Sequence, residues 1–326
     1  MSARRDSPPP AAATPLQQPP PLARGDTVAL FSPSSHSGRN GAASLEHAQA
    51  ILRGWGLAPR PLPDAQPRHL YLAGTDAQRA EQFQRLYCDP AIAALFATRG
   101  GYGAARMLPH LDGARIAAAP PKAVVGMSDV VALFAYLDAV AGVGAVHGPC
   151  LAAPTAMASP HEAENLSDLQ ALLFQPSRHA TLGCTLLHSP AGPRGATGRL
   201  VGGNLAVLAS LLGSPWALRT QGCLLFLEDV NEPPYRVDRY LTQFRAAGRL
   251  DGVAGVVFGH LQNCDVDPPG LLADVLRDLF ADAPYPVASG LLAGHGDRNC
   301  ALPLGRLARL RWDGAGAGTP AQLTLE

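Results

Sequence analysis

The chain has 326 residues, 47% of them hydrophobic, and its 26 basic side chains are matched by 26 acidic ones. That content excludes an intrinsically disordered chain and is enough for two domains with a substantial core. Zero net charge leaves no basic stripe to call for nucleic acid or an anionic membrane surface as a partner.

Residues 1–24 are proline-rich and poor in apolar side chains, and read as a disordered tail. No apolar segment follows Arg4-Arg5, so an export signal is not indicated. From residue 25 short apolar strands alternate with helical patterns. A strand at 27–31 leads into the serine-rich loop 32–37, and a helix covers 45–53. A strand at 94–98 leads into Arg99-Gly-Gly-Tyr-Gly and a helix from Ala104. A strand at 123–125 leads through Ser128 into another helix, and a strand at 143–146 closes the set. The apolar run 130–146 holds Asp138 centrally and ends in Gly142 and Gly144. A soluble helix, a turn and a strand explain it better than a membrane span. This alternation implies a parallel sheet with crossover helices, whose ligand loops gather at the carboxyl ends of the strands. The first domain is therefore expected at 25–151.

Prolines 154, 160, 176, 190 and 193 punctuate residues 152–195, which read as a linker with a short helix around 164–174. A second domain is expected at 196–326. It contains helices at 205–212 and 236–247 and strands at 223–227, 255–258, 307–312 and 322–325. The fold class is thus α/β: a Rossmann- or flavodoxin-like parallel-sheet domain followed by a smaller mixed α/β domain. Six cysteines are scattered without a C-x-x-C or a zinc-like His/Cys spacing. They read as free thiols of a cytoplasmic protein. No metal or cofactor is called for.

The run Lys122-Ala-Val-Val-Gly-Met-Ser-Asp-Val-Val places Ser128 on a tight strand-to-helix turn. Such a turn projects a hydroxyl from the sheet and aims a helix N-terminus at whatever it attacks. Ser128 or Asp129 would equally serve as a helix cap, and the turn alone favours the cap. A nucleophilic serine needs a base. The one lysine, Lys122, is six residues away along an extended strand, roughly 20 Å at about 3.3 Å per residue. That leaves histidine. His36, His47, His69, His161 and His179 lie in loops or on polar faces, His188 in the linker and His110 after a helix. His147 and His260 each follow an apolar strand and suit either a site or a satisfied burial. His295 lies between two glycines in Gly-His-Gly, a turn that leaves the ring accessible but suits a plain loop histidine as well. Three carboxylates could orient the histidine: Glu228, Asp229 and Glu232. Glu228 could instead pair with Arg236 or Arg239, and the other two could cap helices. The loop containing Gly100 and Gly101 exposes backbone amides before a helix, as an oxyanion site requires, although a tight turn explains the glycines too. It matches neither a dinucleotide fingerprint nor a Walker A loop.

The blocks RGGYGAARMLPHLD, GMSD, GGNLAVLASLLGSP, LFLEDVNEPPYRVDR and GHGDRNCALPLG, in this order between Gly25 and Arg309, resemble the LD-carboxypeptidases, serine peptidases of family S66. The resemblance implies a triad of Ser128, Glu228 and His295, and so selects Glu228 among the three carboxylates. It implies a groove between the domains as the active site and a homodimer as the assembly. The substrate it implies is a cytoplasmic murein tetrapeptide, cleaved to release terminal D-alanine in peptidoglycan recycling. From the two adjacent turns, backbone amides of Asp129 and of Gly100 or Gly101 are expected to hold the oxyanion. A sister branch detoxifies a peptide–nucleotide antibiotic of the microcin C type; its mark is an aromatic residue that stacks on adenine, for which Trp216 and Tyr235 are candidates. A non-catalytic binder of small anions is the reading of another class. An α/β-hydrolase fits less well, because Val130 stands where its motif needs a glycine.

Overall fold

The computed structural model describes residues 13–37, 41–60, 68–176, 180–191, 194–265, 268–314 and 316–326. The Arg4-Arg5 pair and His179 lie outside them. Among the described residues thirteen strands form two sheets. The first contains β1 (Thr27–Phe31), β2 (Ala58–Arg60), β3 (Ala94–Ala97), β4 (Ala123–Gly126) and β5 (Ala145–His147), all parallel. Continuous apolar runs without alternation fit strands covered on both faces, and β3, β4 and β5 are buried throughout.

The second sheet contains β6 (Ala180–His188), β7 (Gly195–Asn204), β8 (Cys223–Val230), β9 (Gly255–Gln262), β10 (Val287–Ser289), β12 (Leu307–Trp312) and β13 (Pro320–Leu325). It closes into a barrel in the order β10-β6-β13-β12-β7-β8-β9. The remaining strand, β11 (Leu302–Leu304), crosses back and pairs antiparallel with β5, giving the first sheet the order β11-β5-β4-β3-β1-β2.

Two expectations change, and the helix expected between them holds. Residues 180–188 are a barrel strand, not linker. The helix expected near 164–174 covers Glu162–Phe174 and buries Asn165, Leu169 and Leu173. Within the tail, residues 13–24 follow a defined path. Leu16 N–H donates to Gly305 O, Gln17 N–H to Gly142 O and Leu22 N–H to Leu173 O, and the Leu22 side chain is buried. These backbone bonds and the buried Leu22 side chain seat the segment.

The helix Val131–Ala141 is where the domains meet. Every side chain from Val131 to Asp138 is buried, as expected for a helix apolar on all sides with neighbours all round. The barrel side receives it through glycines. At Gly203, with φ +136°, a Cβ would stand 2.5 Å from Val131 Cγ2, and at Gly202 one would stand 1.8 Å from Phe226 O. A side chain at Gly203 would push the helix off the barrel, and one at Gly202 would force β7 away from β8. Asp138 is the charged residue within that buried run, and it pairs with Arg199 of β7 at 3.3 Å and with Arg219 at 2.8 Å. Among the described residues no helix is long and apolar enough to cross a membrane.

Replacing Asp138 by Ala leaves the Arg199 guanidinium buried without its partner. The expected loss is about 3 kcal/mol, read as a lower midpoint in urea unfolding. A midpoint within error of wild type would show that the pair does not secure the interface.

Candidate active site

Ser128 sits where β4 ends. Met127 is extended and Ser128 has φ +61°, a left-handed conformation that costs a non-glycine residue about 1–3 kcal/mol. A turn of 3-10 helix, Ser128–Val130, then leads into Val131–Ala141. Glycines make the turn possible. A Cβ at Gly126 would stand 2.9 Å from Val130 Cγ1, and one at Gly100 would stand 2.8 Å from Ser128 Cβ. The Gly100 loop therefore lies directly against the serine. No side chain caps the start of this turn.

Asp129 is a cap, but not of its own helix. Its carboxylate accepts from the Ser34 hydroxyl at 2.6 Å and from Ala104 N–H at 2.7 Å. Ala104 begins the helix Ala104–Met107, whose preceding residue Gly103 has no side chain to offer. Burial raises the Asp129 pKa, and the bonds from Ser34 and the loop amides oppose that shift. Buried Arg79 fastens the same loops from below. It donates to Gly103 O at 2.7 Å and Gly74 O at 3.3 Å, and also to Pro33 O and the Asp76 carboxylate. Gly101, with φ +118°, lies against Ser35, where a Cβ would come within 2.3 Å of Oγ. The Gly100 and Met127 backbone faces the buried Cys150 sulfur. Burial pushes that thiol up to about 11 even so.

Glu228 is near the end of β8 with no exposure to solvent. Its Oε2 lies 2.6 Å from His295 Nδ1, so the imidazole donates from that nitrogen to the carboxylate. Strand alternation sends Asp229 the other way. There it accepts from Asn204 Nδ2 at 2.9 Å and from Ala206 N–H at 2.8 Å, and burial pushes its pKa up to about 6. Glu232 pairs with Arg236, and Arg239 lies over the Tyr235 ring. Neither arginine reaches Glu228. Burial alone would raise the Glu228 pKa, but the flanking His147 and His295 outweigh it and hold the carboxyl below its ordinary range. Burial pulls the His295 pKa down, while the Glu228 hydrogen bond and charge raise it by more. The net direction is up.

The His295 loop is held from three sides. Asn299 Oδ1 accepts from Gly294 N–H at 3.0 Å, and its Nδ2 lies 3.2 Å from Met127 Sδ, the residue before Ser128. Asn165, on the helix Glu162–Phe174, accepts from Asn299 N–H and donates to Asp297 O, both at 2.8 Å. His260 Nε2 meets Arg298 O at 2.8 Å, so this histidine buttresses the loop. Gly294, with φ +111°, lets the backbone pass Glu228, since a Cβ there would stand 2.6 Å from Oε2. Lys122, at the other end of β4, donates to Asp89 O and Ile92 O.

Two family models cover most of the chain: the LD-carboxypeptidase N-terminal domain matches residues 28–148 and the C-terminal domain residues 197–310. The chain belongs to the LD-carboxypeptidase family, peptidase S66. It is a serine carboxypeptidase, a hydrolase. A Streptomyces coelicolor relative is 40% identical over 91% of this chain and 94% of its own length. The murein tetrapeptide carboxypeptidase of Pseudomonas aeruginosa is 32% identical over 76% of this chain and 83% of its own. The crystal structure of muramoyltetrapeptide carboxypeptidase from Oxalobacter formigenes superposes with a TM-score of 0.77 at 28% identity. It covers 92% of this chain and 98% of that one. The microcin C7 self-immunity protein of Escherichia coli is more distant, 26% identical over 87% of this chain and 90% of its own.

For this S66 carboxypeptidase, Gly294→Ala forces a methyl group onto the Glu228–His295 bond. A displacement near 1 Å at such a contact lowers kcat by roughly 10²-fold. Steady-state kinetics on the purified variant, with circular dichroism to confirm folding, checks this.

Proposed function

We propose that the enzyme releases terminal D-alanine from murein tetrapeptides through a triad of Ser128, His295 and Glu228. The observation that supports it is the 2.6 Å bond between His295 Nδ1 and Glu228 Oε2. It leaves Nε2 as the basic nitrogen of a neutral ring. On the serine side the support is a left-handed turn at the end of a buried strand, the geometry that presents a nucleophile.

In this reading His295 Nε2 takes the hydroxyl proton as Ser128 Oγ attacks the carbonyl of the L,D bond. Glu228 remains ionised and stabilises the imidazolium. The oxyanion receives the backbone N–H groups of Asp129 and Gly101. Gly100 is the poorer candidate donor, because its backbone faces Cys150. His295 then protonates the departing D-alanine nitrogen, and water attacking the acyl-enzyme carbonyl regenerates Ser128. The murein substrate is favoured by the Pseudomonas aeruginosa and Oxalobacter formigenes relatives, named for that activity. Six unpaired cysteines suit the reducing cytoplasm, where murein fragments are recycled.

Ser128→Ala is expected to fold normally and to lower D-alanine release from a murein tetrapeptide by several orders of magnitude. A variant with near wild-type turnover would remove Ser128 from the mechanism. Processed microcin assayed in parallel decides between the two substrate classes of the family.

The base must be neutral, and the Glu228 anion raises the His295 pKa above its ordinary 6.5. The acid limb of kcat/KM is therefore expected above pH 6.5, rising to a plateau on the alkaline side. A limb centred well below pH 6 would exclude His295 as the base.

A further inference from the structure

His147 has no part in the reaction as described, yet it occupies the dry space behind the Glu228 carboxylate. It ends β5 and is 0% exposed, with its ring edge-on to Phe226 at 5.1 Å between centroids. Neither ring nitrogen has a hydrogen-bond partner among the described residues. Its Nε2 points at Glu228 Oε1 across 3.7 Å, and Oε1 is likewise buried and unpartnered. An orphaned polar atom in such a place costs about 1–3 kcal/mol. Here a donor-capable nitrogen and a carboxylate oxygen face each other with nothing better available to either. A movement of roughly 0.5 Å would bring them within hydrogen-bond range.

We propose that His147 is the positioning residue for Glu228, donating Nε2–H to Oε1 while His295 donates Nδ1–H to Oε2. This rests on the Ser128–His295–Glu228 reading. The carboxylate is then pinned at both oxygens, so it can neither rotate away from His295 nor exchange that bond for another. The link also joins the two domains. His147 pairs in register with Gly126 of β4, two residues before Ser128, whereas Glu228 belongs to the barrel. One side chain thus ties the orientation of the base to the strand that carries the nucleophile. The titratable groups around Glu228 are His147 from β5, His295 from the loop after β10, Cys264 after β9, and Asp229 on its own strand, turned toward Asn204. His147 is the one that faces Oε1.

The test compares His147→Leu, His147→Gln and His147→Asn. A Gln amide nitrogen reaches the position of Nε2; an Asn amide nitrogen stops near Nδ1. In His147→Leu kcat is expected to fall roughly 10²-fold with KM within about threefold, and the acid limb of kcat/KM to move to lower pH as His295 loses its fixed anion. Gln is expected to restore both, and Asn neither. If the Leu variant does not fold, the Gln–Asn contrast still decides. Equal activity and equal pH limbs in Gln and Asn, or a folded Leu variant indistinguishable from wild type, overturns the proposal. A readout free of turnover is the downfield proton resonance of the His295 Nδ1–H in the unliganded protein. It should persist in wild type and Gln and shift or broaden in Asn. An unchanged resonance in Asn overturns the proposal as well. Failure of the serine reading would look different: Ser128→Ala would retain turnover while the resonance still followed residue 147.

Discussion

A carboxylate with no access to water must be satisfied by protein, and that requirement at Glu228 organises this molecule. A buried charge is tolerated only where its partners are fixed. His295 bonds one carboxylate oxygen, and His147 of β5 in the other domain faces the second across 3.7 Å. Each has to be held in place, so the constraint spreads outward. Asn299 and His260 secure the His295 loop, Asn165 secures Asn299, and the glycine at 203 lets the barrel approach the helix Val131–Ala141 closely.

The serine side follows a second constraint, backbone strain. A non-glycine residue at φ +61° persists only where its surroundings over-determine it. At Ser128 the surroundings are a buried strand before it, a helix buried on all sides after it, and Gly100 packed on its side chain. Asp129, one residue on, spends its charge on capping the neighbouring helix, and Arg79 ties the loops beneath. The two halves of the proposed site are thus built differently. One is held by strain and close packing, the other by a chain of hydrogen bonds.

Two of the strands that the sequence hid share a physical cause. β2 is Ala-Pro-Arg and β11 is Leu-Pro-Leu, and each is at an edge of the first sheet. Proline is permitted there because its missing N–H costs no ladder bond. The same proline reads as a breaker in the bare sequence. β6 lies between prolines and shows only irregular alternation of buried and exposed residues, since it gains its partners β10 and β13 from far downstream in the chain. Arg79 and Asn165 carry no motif. Their roles exist only in relation to loops distant in the chain.

Local chemistry wrote the rest into the sequence. Apolar runs ending in glycine and serine mark the parallel strands, Asp138 within an apolar run argues against a membrane span, and the strand-to-helix turn singles out Ser128 as nucleophile or cap. The ordered blocks mark the family. These are properties of neighbours along the chain. Which carboxylate meets His295 could be named beforehand only through family resemblance, because Glu228, Asp229 and Glu232 are near-equivalent in local pattern. Tertiary structure separates them. Alternation along β8 sends Glu228 toward the interface and Asp229 toward Asn204, and only the docking of the barrel on β5 decides which face is the interface.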